Sequence, residues 1–191
     1  MSASDYELLE RLAEPHCAVC RASAASAYAY LSGVMRDGVN DARTRDEWRR
    51  RGGLCRRHWS VWRGLETPAL SSAIVARDLL GARLGSERPR DIDCPACTVG
   101  AEAERRTVRA LGRLSPLRVE EALAHGSGFV CLHHLRSVGE RLDSIFRRRL
   151  EQILDDLGEF IRKSDYRRAH EPMGDAGDAW LRAIRALGGD V

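Results

Sequence analysis

The chain has 191 residues, of which 43% are hydrophobic and 31% charged, with a formal net charge of +3 at pH 7. That length suits one domain, or two small ones sharing a core, and the 17 glycines and 6 prolines are too few for a collagen-like or wholly disordered chain. No run of about 18 apolar residues occurs, which excludes a hydrophobic helix spanning a membrane.

The N-terminal MSASDYELLERL has no positively charged stretch ahead of an apolar one, so no signal peptide is read there and a cytoplasmic location is expected. CAVC at 17–20 is followed by the alanine-rich ASAYAYLSGVMRDG (25–38), which reads as helix. TRDEWRRRGG (44–53) reads as a shorter helix leading into CRRH at 55–58. In the following stretch, Leu70, Ile74, Leu79 and Leu80 support a helix that Pro68 starts or kinks. GSERPRDID (85–93) reads as a linker.

CPAC (94–97) then leads into AEAERRTVRALGRL (101–114), a helix ended by Ser115-Pro116, which opens the short helix PLRVEEALAHG. After CLHH (131–134) comes the clearest helical pattern. Leu135, Val138, Leu142, Ile145, Leu150, Ile153, Leu157 and Phe160 recur at three and four, with Phe146 bridging the longest step. DAGDAWLRAIRALGG (175–189) reads as a last helix, capped by Asp175 or Asp178, with Trp180, Leu181, Ile184 and Leu187 on its buried side. No clean alternating strand pattern is present, so the expected fold is all-α.

The cysteine motifs recur. Between Cys20 and Cys55 lie 34 residues, and between Cys97 and Cys131 lie 33. GGLCRRHW (52–59) also matches GFVCLHHL (128–135). The chain reads as a tandem duplication of a helical unit carrying Cys-x2-Cys and Cys-x2-His, with a period of about 77 residues. The expected division is a first repeat at 1–88, a second at 89–163, and a polar loop with a C-terminal helix at 164–191.

Two such knuckles supply the three sulfurs and one imidazole that suit tetrahedral zinc. Pairing each CxxC with the CxxH that follows it gives Cys17, Cys20, Cys55 and His58 as one site, and Cys94, Cys97, Cys131 and His134 as the other. Cross-pairing between the halves is the alternative. Four protein ligands close the shell, which points to two structural zinc ions. An iron–sulfur cluster also accepts such ligands, and a redox dithiol at CPAC or CAVC would leave the matching CxxH motifs unexplained. Binding six thiolates to two divalent ions takes the formal charge from +3 to +1, so bulk charge argues little for nucleic acid. His16 and His133, each beside a ligand, have no His counterpart in the repeat and read as surface or supporting residues. His125 reads as exposed.

Eight arginines lie between Arg43 and Arg63, interleaved with Trp48, Trp59 and Trp62. Arginine with aromatics can hold phosphates and stack bases, so nucleic acid is an alternative partner. Tryptophans packed beside the metal, with arginines solvating that face, account for the same residues. The tail SDYRRAHEPMGDAGDAW groups Tyr166, Arg167, His170 and Glu171, weak catalytic candidates for acid–base chemistry; a loop docking the last helix explains them as well.

The GLCRRHW-type knuckle, the doubled CxxC and the DYRRAHEPMGDAGDAW tail resemble the bacterial DUF6062 family, a domain of unknown function. The likeness covers most of the chain and rests chiefly on the tail. The resemblance implies no activity for any residue. The residues themselves point to a metal-binding helical module acting through a surface, with no membrane; they do not name its partner, a protein being one candidate. A metal-dependent enzyme using the tail and a nucleic-acid binder are the alternatives.

Overall fold

The computed structural model describes residues 3–66, 69–85, 92–168 and 170–189. Pro68, residues 86–91 of the linker with the expected boundary at 88, and Ala169 of the tail lie outside the described residues. The fold is all-α. Among the described residues no β-strand forms; one isolated parallel bridge pairs Cys17 with Phe129. No helix among them is long and apolar enough to cross a membrane.

In chain order the helices are α1 (Ala3–Arg11), α2 (Ala18–Gly33), α3 (Ala42–Arg50), α4 (Arg56–Gly64) and α5 (Ala69–Leu84). Then come α6 (Pro95–Leu111), α7 (Pro116–Ala124), α8 (Leu132–Leu135), α9 (Glu140–Lys163) and α10 (Ala179–Gly188). A π-helical turn at Val34–Gly38 follows α2. The chain packs as two units, and their bounds differ from the tandem division at 88. One unit is Met1–Ala22 with Glu104–Val191; the other is Ser23–Ala103. The chain leaves the first unit within α2 and returns to it within α6.

The unit of residues 23–103 has its core around Leu31, Trp48, Leu54, Trp62, Val75 and Leu79. Trp48 meets Trp62 edge-on at 5.5 Å between ring centroids, and Trp62 meets Trp59 at 6.2 Å. Buried indoles need acceptors for their N–H groups. Trp48 donates to the Tyr30 hydroxyl at 2.8 Å and Trp62 to Ser72 at 3.2 Å. Asp41 caps α3 by accepting from the backbone N–H of Arg43 and Thr44, and these bonds together with the Thr44 hydroxyl hold its carboxyl below the usual range. The helix expected here forms as α5; its inner face is Val75 and Leu79, while Leu70 and Leu80 are exposed.

The other unit buries Leu12, Val19, Leu111, Val119, Phe129, Leu142 and Phe146 completely or nearly so. The expected continuous helix after His134 is broken. α8 lasts one turn, and Gly139, at φ 80°, resets the chain before α9 begins. Leu135 and Val138 are buried beneath that break, and Leu142, Ile145, Phe146 and Ile153 form the α9 core face.

The C-terminal helix also departs from expectation. A 3₁₀ turn occupies Gly174–Asp178 and α10 starts only at Ala179. Its buried residues are Ala179, Arg182 and Ala186, whereas Trp180, Ile184 and Leu187 are exposed and Leu181 is half-buried. Neither Asp175 nor Asp178 caps the helix with its side chain. Instead both serve Arg182: it donates to the Asp178 carboxylate at 2.8 Å, to Asp156 on α9 at 3.0 Å and to the Asp175 carbonyl at 2.5 Å. Two alanines let α10 sit close to α9, and a guanidinium bonded through each of its three nitrogens shares that face.

Candidate metal centres

Both centres are built from helix beginnings. Cys17 immediately precedes α2 and Cys94 immediately precedes α6, so Cys20 and Cys97 fall in the first turns of those helices. Cys55 is the N-cap of α4 and Cys131 the N-cap of α8, with nearly identical extended backbone at φ −70°, ψ 166° and φ −67°, ψ 162°. His58 and His134 then lie one turn in. At a helix start several backbone N–H groups have no partner within the helix and face an anionic sulfur favourably. In both CxxH knuckles the histidine's own N–H points at the cysteine sulfur and favours its thiolate.

The eight expected ligands gather into two tetrads, but not within the repeats. Cys17 and Cys20 meet Cys131 and His134; Cys55 and His58 meet Cys94 and Cys97. The within-repeat pairing is therefore corrected: each CxxC meets the CxxH of the other repeat. Backbone hydrogen bonds account for this. In the first site the segment before Cys17 lies along the loop before Cys131. Ser127 N–H donates to Ala13 O, Gly128 to Leu12 O, Phe129 to His16 O, and Ala18 to Phe129 O, at 3.0–3.1 Å. Only glycine fits that approach: a Cβ on Gly128 would lie 2.3 Å from Leu12 O, and one on Gly126 2.5 Å from Ala13 Cα. Arg149 of α9 fastens the loop by donating to the carbonyls of Gly126 and Gly128.

The second site repeats the plan with other residues. Asp93, just before CPAC, donates its N–H to Arg51 O at 2.9 Å. Arg51 returns bonds to the Asp93 carbonyl and carboxylate, each at 3.0 Å, and to the Thr98 hydroxyl at 2.5 Å. Gly52 and Gly53, at φ 77° and 84°, turn the chain from α3 into the knuckle.

The ligand atoms are close. In the first tetrad the Nδ1 of His134 is 3.2 Å from Cys131 Sγ, 3.4 Å from Cys20 Sγ and 3.6 Å from Cys17 Sγ, and Cys20 and Cys131 are 3.8 Å apart. In the second, His58 Nδ1 is 3.3 Å from Cys55, 3.4 Å from Cys94 and 3.3 Å from Cys97, with Cys55 and Cys97 at 3.7 Å. None of the six cysteines is in a disulfide. Each tetrad is a closed Cys3His set able to coordinate a metal ion.

The sites differ in their surroundings. Cys17, Cys131 and His134 are buried and Cys20 half-buried, whereas Cys97 is exposed and Cys55 half-buried. The outer nitrogen of His134 is buried, with Glu104 Oε1 3.0 Å away. Glu104 falls at the repeat position occupied by Ala27 in the first half, so the sequence supplies His58 with no such carboxylate. Burial works against a charged His134, but its contacts with the Cys131 and Cys17 sulfurs and with Glu104 prevail and raise its pKa to about 10. Burial, aided by Arg57, pushes His58 the other way. Sequence reasoning missed Glu104; its place on α6, about two turns beyond Cys97, was the available signal. His133 stacks edge-on against His134 at 4.9 Å and groups with Glu104 rather than with the sulfurs; His16 stands outside both tetrads. His125 is exposed, as expected.

The tail candidates form no comparable centre. Tyr166 is 80% exposed, with the Arg167 guanidinium over its ring at 5.5 Å. His170 is exposed. Glu171 is held by Arg162 at 2.6 Å and Arg168 at 3.2 Å, and the Arg162 guanidinium brings its pKa down to about 2. Lys163 donates to the carbonyl of Pro172 at 3.1 Å, so the segment is tied to the end of α9. In the arginine-rich stretch, Arg45 and Arg49 pair with Asp78, and Arg51 with Asp93 and Glu47. Trp48 and Trp62 are buried and cannot stack on bases.

Comparison with family models, with curated proteins and with solved structures returns no match.

Proposed function

We propose that each tetrad holds one zinc ion with a structural role, and that the protein is a zinc-stapled helical module acting through its surface. The sulfur spacing carries this reading. Four ligands around a single zinc, with Zn–S about 2.3 Å and Zn–N about 2.0–2.1 Å, stand about 3.8 Å apart for two sulfurs and about 3.5 Å for sulfur and nitrogen. The separations of 3.7–3.8 Å and 3.2–3.6 Å fit that shell. A cluster divides its thiolates among several irons, which asks for a wider set. A closed set leaves no coordination position for substrate or water, so its contribution is to folding, on the order of 10 kcal/mol per structural zinc. Six reduced cysteines suit a reducing compartment such as the cytoplasm. Kinship with the DUF6062 family, suggested by the knuckles and tail, belongs to the same proposal.

The test is metal analysis and an absorption spectrum of protein purified anaerobically. Two zinc ions per chain in colourless protein is the expected result. Brown protein carrying iron and sulfide would replace this reading with the cluster one.

A further inference from the structure

The unit of residues 23–103 carries a cavity apart from its metal centre. Between α4 and α5 a cavity of about 680 Å³ opens to solvent, within the size range of small-molecule sites. Its apolar wall includes the half-buried Trp59 and the exposed Leu80 and Ile92. Around it stand Arg56, Arg63 and Arg83, and among the described residues no acidic side chain lines it. This contrasts with the neighbouring Arg45, Arg49 and Arg51, each paired with a carboxylate. Arg83 gives one N–H to Gly52 O at 2.6 Å and Arg63 one to Ser60 at 3.3 Å; with five donors on a guanidinium, most remain to offer. None of the three forms an ion pair with a described carboxylate.

From this pairing of an apolar wall with three cations and no described carboxylate, we infer that the cavity binds a small anionic amphiphile: a carboxylate or phosphate monoester on a hydrocarbon body. The body excludes water from Trp59, Leu80 and Ile92, and the headgroup accepts charge-assisted hydrogen bonds from the arginines. Inorganic phosphate lacks the apolar part, and a nucleic-acid backbone would leave the apolar wall unused. The inference does not depend on which metal the tetrads hold.

The test uses the full chain with its metal in place and titration calorimetry with dodecanoate, dodecyl phosphate and dodecanol, each below its micelle concentration. Saturable binding of one dodecanoate or dodecyl phosphate per chain is expected, with dodecanol weaker by roughly tenfold or more. Either anion binding in this way supports the inference, and their ratio identifies the preferred headgroup. Arg56→Gln with Arg63→Gln should weaken anion binding roughly tenfold. Ala76→Trp, an exposed lining position that the larger ring would plug, should abolish it while metal content and circular dichroism stay unchanged. The idea fails if no saturable binding occurs, if dodecanol binds as well as the anions, or if neither variant changes affinity.

Discussion

His134 and His58 hold the same place in the repeat, yet among the described residues only His134 has a carboxylate against its outer nitrogen. A carboxylate in that position orients the imidazole and raises its basicity as a ligand, and losing it typically costs 10–100-fold in metal affinity. Glu104→Gln should therefore weaken metal retention about 10–100-fold at the Cys17/Cys20/Cys131/His134 site and leave the other site unchanged. Two-step release to a chromophoric chelator measures this; identical release curves would reduce Glu104 to a packing residue. Glu171 is a second case of one residue tuned by another. Arg162 depresses its pKa to about 2, so the folded state favours the ionised form. The stability from this pair is full above the ordinary glutamate value of about 4.3 and is lost as the pH falls toward about 2. Arg162→Gln should return the Glu171 pKa toward its ordinary value in a carbon-detected NMR titration, and should flatten the loss of stability across that window.

At the scale of elements, α10 shows how a pattern read from sequence can choose the wrong face. Trp180, Ile184 and Leu187 recur at helical spacing and invite burial, but α10 turns Ala179, Arg182 and Ala186 inward. Hydrophobicity along one helix cannot reveal that Asp156, Asp178 and the Asp175 carbonyl converge on a buried guanidinium. Arg182→Met should destabilise the protein by about 2–4 kcal/mol, since it strands the polar groups that Arg182 satisfies. Thermal or urea unfolding measures that loss, and an unchanged midpoint would contradict it. The loop before Cys131 is a second such element. Gly128→Ala drives a methyl group into Leu12 O and should displace the backbone that aligns the two knuckles. A loss of about one metal ion per chain, read by metal analysis, is the expected outcome.

Over the whole molecule, the two tetrads are nested: the Cys55/His58/Cys94/Cys97 centre closes inside the span of chain that joins Cys20 to Cys131. Each centre and its core belong to one packed unit. Cys97→Ser should therefore lower hydrogen-exchange protection mainly in Ser23–Ala103, including α4 and α5 of the first repeat. Cys20→Ser should lower it mainly in Met1–Ala22 and Glu104–Val191. If Cys97→Ser instead exposed residues 104–163 and spared 55–64, the exchanged pairing would be wrong. By the same reasoning, a fragment of residues 1–88 holds half of each site and should retain no tightly bound metal.

What the sequence determined by itself is the helical class, the duplication and the ligand chemistry. Helix-forming periodicity and CxxC or CxxH spacing are local properties, set within a few turns of chain. It could not determine which knuckles meet. Between His58 and Cys94 lie 35 residues, a gap like the 34 and 33 of the sequential pairing, and the outer closure of Cys20 with Cys131 spans 110, a length that adds only slowly to the entropy of closure. Tertiary structure decided it. α2 alone spans about 24 Å, carrying the chain away from Cys20 before Cys55 is reached, and hydrogen bonds between distant backbone segments brought each CxxC to the other repeat's histidine.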